Sequence, residues 1–304
     1  MKLFGQLVIC ILFLLTAGIS SRAEAAPGII VYYSSHNSYQ RSLASAINKN
    51  LNNAFSSTPV SFITNGDLSV IHPGDLILNI GNQEKIDSAL GALKNDIIYI
   101  NDTQDNDRTI RQNTSYLNVR ITQPPCRQLE LISILNKRWR RVGFLINTPG
   151  DSRLKQLHIC SKKLNLTINA VQVINKDLPT AIDKLLQNSD VLLALPNYDI
   201  YNRRSVKDIL LSAYRLRIPV IGFSDSFVNA GAIAATYSSP DQIAKQLISI
   251  ILDRMKNGKL PDSGKVYPEY FSVSTNKQVA SALDIYLPDD STIKSSIERM
   301  EAKQ

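Results

Sequence analysis

The sequence predicts an α/β protein made of two three-layer lobes in series. Three observations predict it. Short, continuously apolar runs such as GIIVYYS (28–34) and RVGFLIN (141–147) alternate with amphipathic stretches at the spacing of βαβ units. Runs that are apolar throughout suit strands buried on both faces of a parallel sheet. After the polar segment 103–114 the alternation starts again, and Pro124-Pro125 stiffens the chain there, as expected where it crosses between rigid bodies.

Residues 1–25 read as a secretory signal peptide: Lys2 precedes an apolar run from Leu7 to Leu15, and Ala23-Glu24-Ala25 supplies the small-x-small cleavage pattern. No later stretch reaches the roughly 18 uninterrupted apolar residues of a membrane span. A soluble chain exported to a Gram-negative periplasm is expected. The first lobe then has strands at 28–34, 60–64, 75–81 and 96–101, with helices over 39–51 and 83–93. LNVRITQPP (117–125) reads as a strand ended by its prolines, before a helix over 126–135. A strand at 141–147, a helix over 152–164, a strand at 166–174 and a helix over 178–187 follow. DVLLALP (190–196), a helix over 206–216 and IPVIGFS (218–224) continue the second lobe. AGAIAATYSSP (230–240) is a small-residue strand feeding a helix over 241–256 that Gly258 stops. YFSVSTN (270–276) alternates as a strand, 277–283 is a short helix, and 289–304 reads as a loosely packed terminal helix. The expected divisions are 26–121 with 239–264 for one lobe, 122–238 for the other, and 265–304 returning across the junction.

The net charge of +8 reads as a solvated basic surface. Its densest cluster, KRWRR at 137–141, stands between a helix and a strand with no nucleic-acid motif around it, so nucleic acid is not an expected partner. A weak pull toward anionic surfaces is what remains. In an oxidising compartment Cys126 and Cys160 pair if their Cα atoms come within about 7 Å; otherwise they are two separate buried thiols.

In open α/β sheets ligands sit at the carboxyl ends of the strands, so the turns there supply the candidate residues. Ser34, Ser35 and Tyr39 follow the first strand at a helix amino terminus, which favours an anion, with Ser38 as the expected cap. Gly81 reads as a tight turn, and Asn82 and Asn101 as ligand contacts. Asn147 and Thr148 occupy the equivalent turn of the second lobe, with Ser152 as its cap. Asn197, Tyr198, Asp199 and Tyr201, with Phe223, Ser224 and Asp225, combine carboxylates, phenols and a ring that suit an ammonium on an apolar or aromatic body. His36, His72 and His158 stand apart without metal-ligand spacing, and no cofactor is expected. No nucleophile, base and orienter accompany these turns, and the turn at 147–152 lacks a G-x-S-x-G elbow, so a binder is expected and not an enzyme.

QPPCRQLELISIL (123–135), LPNYDIYN (195–202), ILLSAYR (209–215), IPVIGFS, AGAIAATYSSP and YFSVSTNKQVASALDIYLP (270–288), in this order, resemble the exported substrate-binding proteins of ABC transporters, specifically the type I periplasmic group that includes tryptophan and tyrosine binders. The resemblance covers nearly the whole mature chain. It implies two Rossmann-like lobes joined by a hinge, a monomer that closes on a small polar solute and delivers it to an ABC permease. The alternative is a sensor accessory of the same fold that docks on a membrane receptor. Where the family's amino-acid binders carry Asn-Pro-x-Glu or a similar run, this chain has Asn147-Thr148-Pro149-Gly150-Asp151-Ser152, which leaves the solute unspecified.

Overall fold

The structure, a computed structural model, describes residues 27–55, 58–64, 66–81, 83–90, 93–101, 115–261 and 264–303. The expected signal peptide, Asn82 and the 103–114 loop lie outside the described residues.

The chain begins with β1 (Ile29–Tyr33), α1 (Ser38–Ala54), β2 (Val60–Thr64), β3 (Leu76–Asn79), α2 (Gln83–Leu90), β4 (Asp96–Ile100) and β5 (Tyr116–Val119). It crosses to α3 (Pro125–Leu135), β6 (Arg141–Ile146), α4 (Ser152–Lys163), β7 (Thr167–Gln172), α5 (Leu178–Leu186), β8 (Val191–Leu193), α6 (Ser205–Arg215), β9 (Val220–Gly222), α7 (Asp225–Asn229) and β10 (Ala234–Tyr237). Next, α8 (Pro240–Asn257) returns to pack on α1, and β11 (Lys265–Val266) pairs with β5. A third crossing leads to β12 (Ser272–Thr275), α9 (Lys277–Ala282) and α10 (Asp290–Glu301) in the second lobe.

Among the described residues two six-stranded sheets form, ordered β11-β5-β4-β3-β1-β2 and β12-β10-β9-β8-β6-β7. The winding is the same in both. β12 is antiparallel to β10, whereas β6 to β10 pair in parallel, as do the strands of the first sheet. Continuous apolarity has the expected cause: Ile29 and Val31 enter the core under α1 and α8, while Ile30 and Tyr32 enter the core under α2. In β6, Phe144 faces the cluster under α3, α4 and α10, and Leu145 faces the one under α5 and α6. Gly258 ends α8 in the left-handed conformation, φ 72°, with its N–H on Arg254 O at 2.8 Å.

Three expectations change. β5 stops at Val119, and the rest of the expected strand is the crossing itself: Pro124 is extended at φ −60°, ψ 138°, and Pro125 starts α3, where its missing N–H is not needed. α7 and β11 are too short to carry a readable period. The terminal helix is firmly docked, because Ile293 and Ile297 are fully buried in the second lobe's core.

The three crossings are tied into one hinge. Arg127 of α3, buried, bonds Glu301 of α10 through both nitrogens of a fork (Nε to Oε1 2.6 Å, Nη2 to Oε2 2.9 Å). Its Nη1 donates to Gln123 Oε1 at 2.7 Å on the first crossing and to Pro268 O at 2.8 Å on the third. Gln123 Nε2 donates to Ser238 Oγ at 2.8 Å on the second crossing, and that hydroxyl donates to Tyr270 O at 2.6 Å.

Cys126 and Cys160 form a disulfide, Cα atoms 5.4 Å apart, that joins α3 to α4 across a sequence separation of 34. Chain-entropy arguments give such a loop about 3–4 kcal/mol. The double variant Cys126→Ser, Cys160→Ser is expected to lose about that much in urea unfolding. Wild-type protein in reductant should match it; an unchanged midpoint in the variant would remove the bridge from the stability account.

Asp190, just before β8, accepts Arg141 Nη2 at 2.7 Å and Nε at 3.0 Å on one oxygen, and the N–H groups of Arg140 and Arg141 at 2.8 Å on the other. Partial burial works against its charge, but the Arg141 side chain and the two backbone donors outweigh it and hold the carboxyl below its ordinary range. Stabilisation of this sign is present above the unfolded value of about 3.9 and is lost as pH falls through the folded value. Asp190→Asn is expected to cost about 1 kcal/mol at pH 7 in this half-exposed setting. The gap to wild type should narrow as pH falls below about 4. Urea titrations at pH 7 and pH 3 check it, and a gap independent of pH rejects the ionic explanation.

Candidate functional site

In each sheet the order of strands reverses around the first strand, with β1 between β2 and β3, and β6 between β7 and β8. Loops leaving such a switch point diverge to opposite faces and open a crevice at the strands' carboxyl ends.

In the second lobe the crevice is bounded by Asn147 after β6 and by Asn197 and Asp199 after β8. Asn147 Nδ2 donates to Asn197 Oδ1 at 3.2 Å and to Asp199 Oδ2 at 2.9 Å, and its carbonyl accepts Gln172 Nε2 at 2.9 Å. Thr148 is exposed beside it. Asp151, not Ser152, caps α4, its Oδ1 accepting Arg153 N at 3.0 Å, because Ser152 already lies inside the first turn with its side chain in solvent.

The same carboxylate holds the Arg153 side chain, Nη2 to Oδ2 at 2.6 Å and Nε to Oδ1 at 2.9 Å, while Nη1 donates to Pro196 O at 2.8 Å. The guanidinium carbon lies 5.3 Å from the centroid of the Phe144 ring. Three of the five N–H donors of a guanidinium are thereby used, and two have no partner among the described residues. Arg153 was not among the expected site residues. The available signal was a cation in the first turn of a helix, where the macrodipole disfavours one unless something local compensates.

In the first lobe Ser34 and Ser35 are half-buried behind β1. Ser34 N donates to Gln40 Oε1 at 2.8 Å, and the Arg41 guanidinium bonds Ser35 O. Asn37, not Ser38, caps α1: its backbone is extended, and its Oδ1 accepts Gln40 N at 3.1 Å. Tyr39 packs partly against the core under α1 and α8. Asn101 follows β4 with its N–H on Val119 O at 3.2 Å. Asn79, at the end of β3, is buried with Nδ2 unpartnered among the described residues, while its Oδ1 accepts Gly81 N at 2.8 Å. A Cβ on Gly81 would stand 2.8 Å from the Tyr32 ring, so the glycine is required by close approach.

The rings of this region take different environments. Tyr198 is 88% exposed, whereas Tyr201 is buried with its ring edge-on to Phe223 and Phe227 at 6.0 and 5.9 Å. Burial pushes the Tyr201 phenol well above its ordinary range despite the Arg153 charge nearby, and its Oη has no partner among the described residues. Ser224 caps α7, with Oγ accepting Phe227 N at 3.2 Å, and Asp225 accepts Asn229 Nδ2 at 3.0 Å and Ser274 Oγ at 2.8 Å. Neighbours in sequence thus separate: Asn197 and Asp199 turn to Asn147, while Tyr201 and Phe223 turn into the core.

Where the lobes meet, Arg120 and Thr122 of the first crossing, Arg153 and Gln156 of α4, and Lys265 and Tyr267 of the β11 segment line a cavity of about 80 Å³. Tyr267 Oη donates to Gln156 Oε1 across the seam at 3.1 Å. Among the described residues no group of three or more His, Cys, Asp or Glu is arranged to hold a metal.

The family model described as ABC transporter substrate binding protein matches residues 121–297. No curated protein sequence matches significantly. Solved structures similar to this chain include a ligand-free, open substrate binding protein with adhesive properties from Clostridium difficile, with a TM-score of 0.66 at 14% identity over 87% of this chain and 97% of that one. A conserved domain protein from Vibrio cholerae gives 0.59 at 18% identity, covering 89% and 98%. An ABC domain in complex with L-Trp from Streptococcus pneumonia gives 0.58 at 17%, covering 88% and 98%.

Proposed function

The chain belongs to the family of ABC transporter substrate binding proteins, and from that premise we propose that it is an exported receptor that closes on a small polar solute and hands it to an ABC importer. The observation that carries this reading is the paired winding of the sheets, which sets two switch-point crevices beside a hinge of three crossings. The finer proposal is an amino acid with an aromatic or apolar side chain. Asp199, with Asn147 and Asn197 beside it, offers an acceptor set for an ammonium, and one structural neighbour holds L-Trp. Ser34, Ser35 and Asn101 of the first lobe are proposed to meet the solute from the other side.

A thermal-shift and calorimetric screen of amino acids, nucleosides and small organic acids tests it. A true ligand at a hundredfold excess over Kd stabilises the folded state by about 2.7 kcal/mol. The expected result is a hit whose affinity falls at least about tenfold in Asp199→Asn, since a charged hydrogen bond contributes about 1.5–3 kcal/mol. A broad screen without any hit rejects the receptor reading.

A further inference from the structure

The cavity at the lobe seam has a composition of its own. Three cationic side chains line it, Arg153 from the second lobe, Arg120 from the first crossing and Lys265 from β11 of the first lobe, and among the described residues no carboxylate does. Its neutral lining is mostly polar, including Thr122, Gln156 and the phenol of Tyr267. At about 80 Å³ it exceeds several-fold the ~10–15 Å³ that admits one water, so it has room for a small oxyanion.

The cations have different tasks. Arg120 and Lys265 have other contacts of their own, so they contribute field. Arg153 is only 14% exposed, is clamped by Asp151 and Pro196 O, and retains two N–H donors in a rigid fork, the geometry that matches a carboxylate or phosphate. Asp151 balances part of the Arg153 charge, and with no carboxylate in the lining among the described residues an anion in the cavity still meets donors from both lobes.

We propose that this cavity is an oxyanion subsite at the hinge-side end of the solute crevice, and that the solute carries a carboxylate or phosphate group held there by Arg153 in the field of Arg120 and Lys265. The proposal rests on the solute-receptor reading and narrows it to an acidic or zwitterionic class. An anion bound there bridges the lobes, so binding and closure are coupled.

The test uses the purified protein at low ionic strength with inorganic phosphate and acetate as probes, chloride of equal ionic strength as control, and calorimetry with thermal shift as readouts. Phosphate or acetate should bind and raise Tm where chloride does not, and the stronger of the two identifies which headgroup the solute bears. Lys265→Glu, an exposed position whose change leaves the core untouched, should weaken that binding at least about tenfold. Arg153→Lys, which keeps the charge and loses the fork, should weaken it several-fold, measured against the Tm of the same unliganded variant. Binding of neither anion, or equal binding by wild type and Lys265→Glu, overturns the subsite. The receptor reading fails separately: it is lost if the solute screen is empty, and it survives if neutral solutes bind while both anions are silent.

Discussion

Glu301→Ala is expected to lower the unfolding free energy by about 3–5 kcal/mol, the largest single effect outside the core, because it strands the Arg127 charge in a site where the side chain is only 7% exposed. The remaining partners, Gln123 Oε1 and Pro268 O, are neutral dipoles, and the Phe271 ring 4.1 Å from the guanidinium gives further but smaller relief. Replacing both members, Arg127→Met with Glu301→Leu, should recover most of the loss, since an apolar pair of similar volume needs no desolvation. Urea unfolding of the single and double variants checks the sign of this coupling. An additive double variant would show that the two residues act independently. The same cycle has a functional readout, because Arg127 joins the first and third crossings: Glu301→Ala should broaden the distribution of lobe separations in small-angle scattering, and an unchanged profile would confine the pair to stability.

Phe144→Ala should cost about 3–5 kcal/mol by emptying the centre of the second lobe's larger core, where the ring is fully buried between β6 and the helices α3, α4 and α10. The effect reaches the site, because the Arg153 guanidinium carbon lies 5.3 Å from the centroid of that ring. Phe144→Leu, a partial truncation that costs less than the alanine change, keeps the fold and isolates this support. Its phosphate affinity should fall several-fold at unchanged secondary structure. Equal affinity would show that Asp151 and Pro196 O position Arg153 unaided.

The strands and their parallel pairing were legible because a strand buried on both faces must be apolar throughout, as IIVYY and VLL are. Gly258 was legible for a similarly local reason, since a helix that ends in the left-handed region selects glycine. The docking of α10 was not, because Ile293 and Ile297 among charged neighbours look the same whether the helix frays or packs. Asn147 and Asn197 could be placed at strand ends, but their mutual hydrogen bond spans 50 residues and depends on β6 and β8 being neighbours in the sheet. Tyr198 and Tyr201 show the limit most clearly: three positions apart in one turn, one ring faces solvent and the other the core, and composition is silent on that choice.

By itself the sequence determined the two α/β lobes, the crossing at Pro124 and the stop of α8 at Gly258, because strand burial, proline and glycine act on local backbone. Only the tertiary structure decided that Arg127 and Glu301 lock three crossings together, that Cys126 meets Cys160, and that Arg120, Arg153 and Lys265 share one cavity. Those meetings join residues 33 to 174 positions apart, and at such separations the burial of whole sheets sets the geometry and side-chain chemistry only completes it.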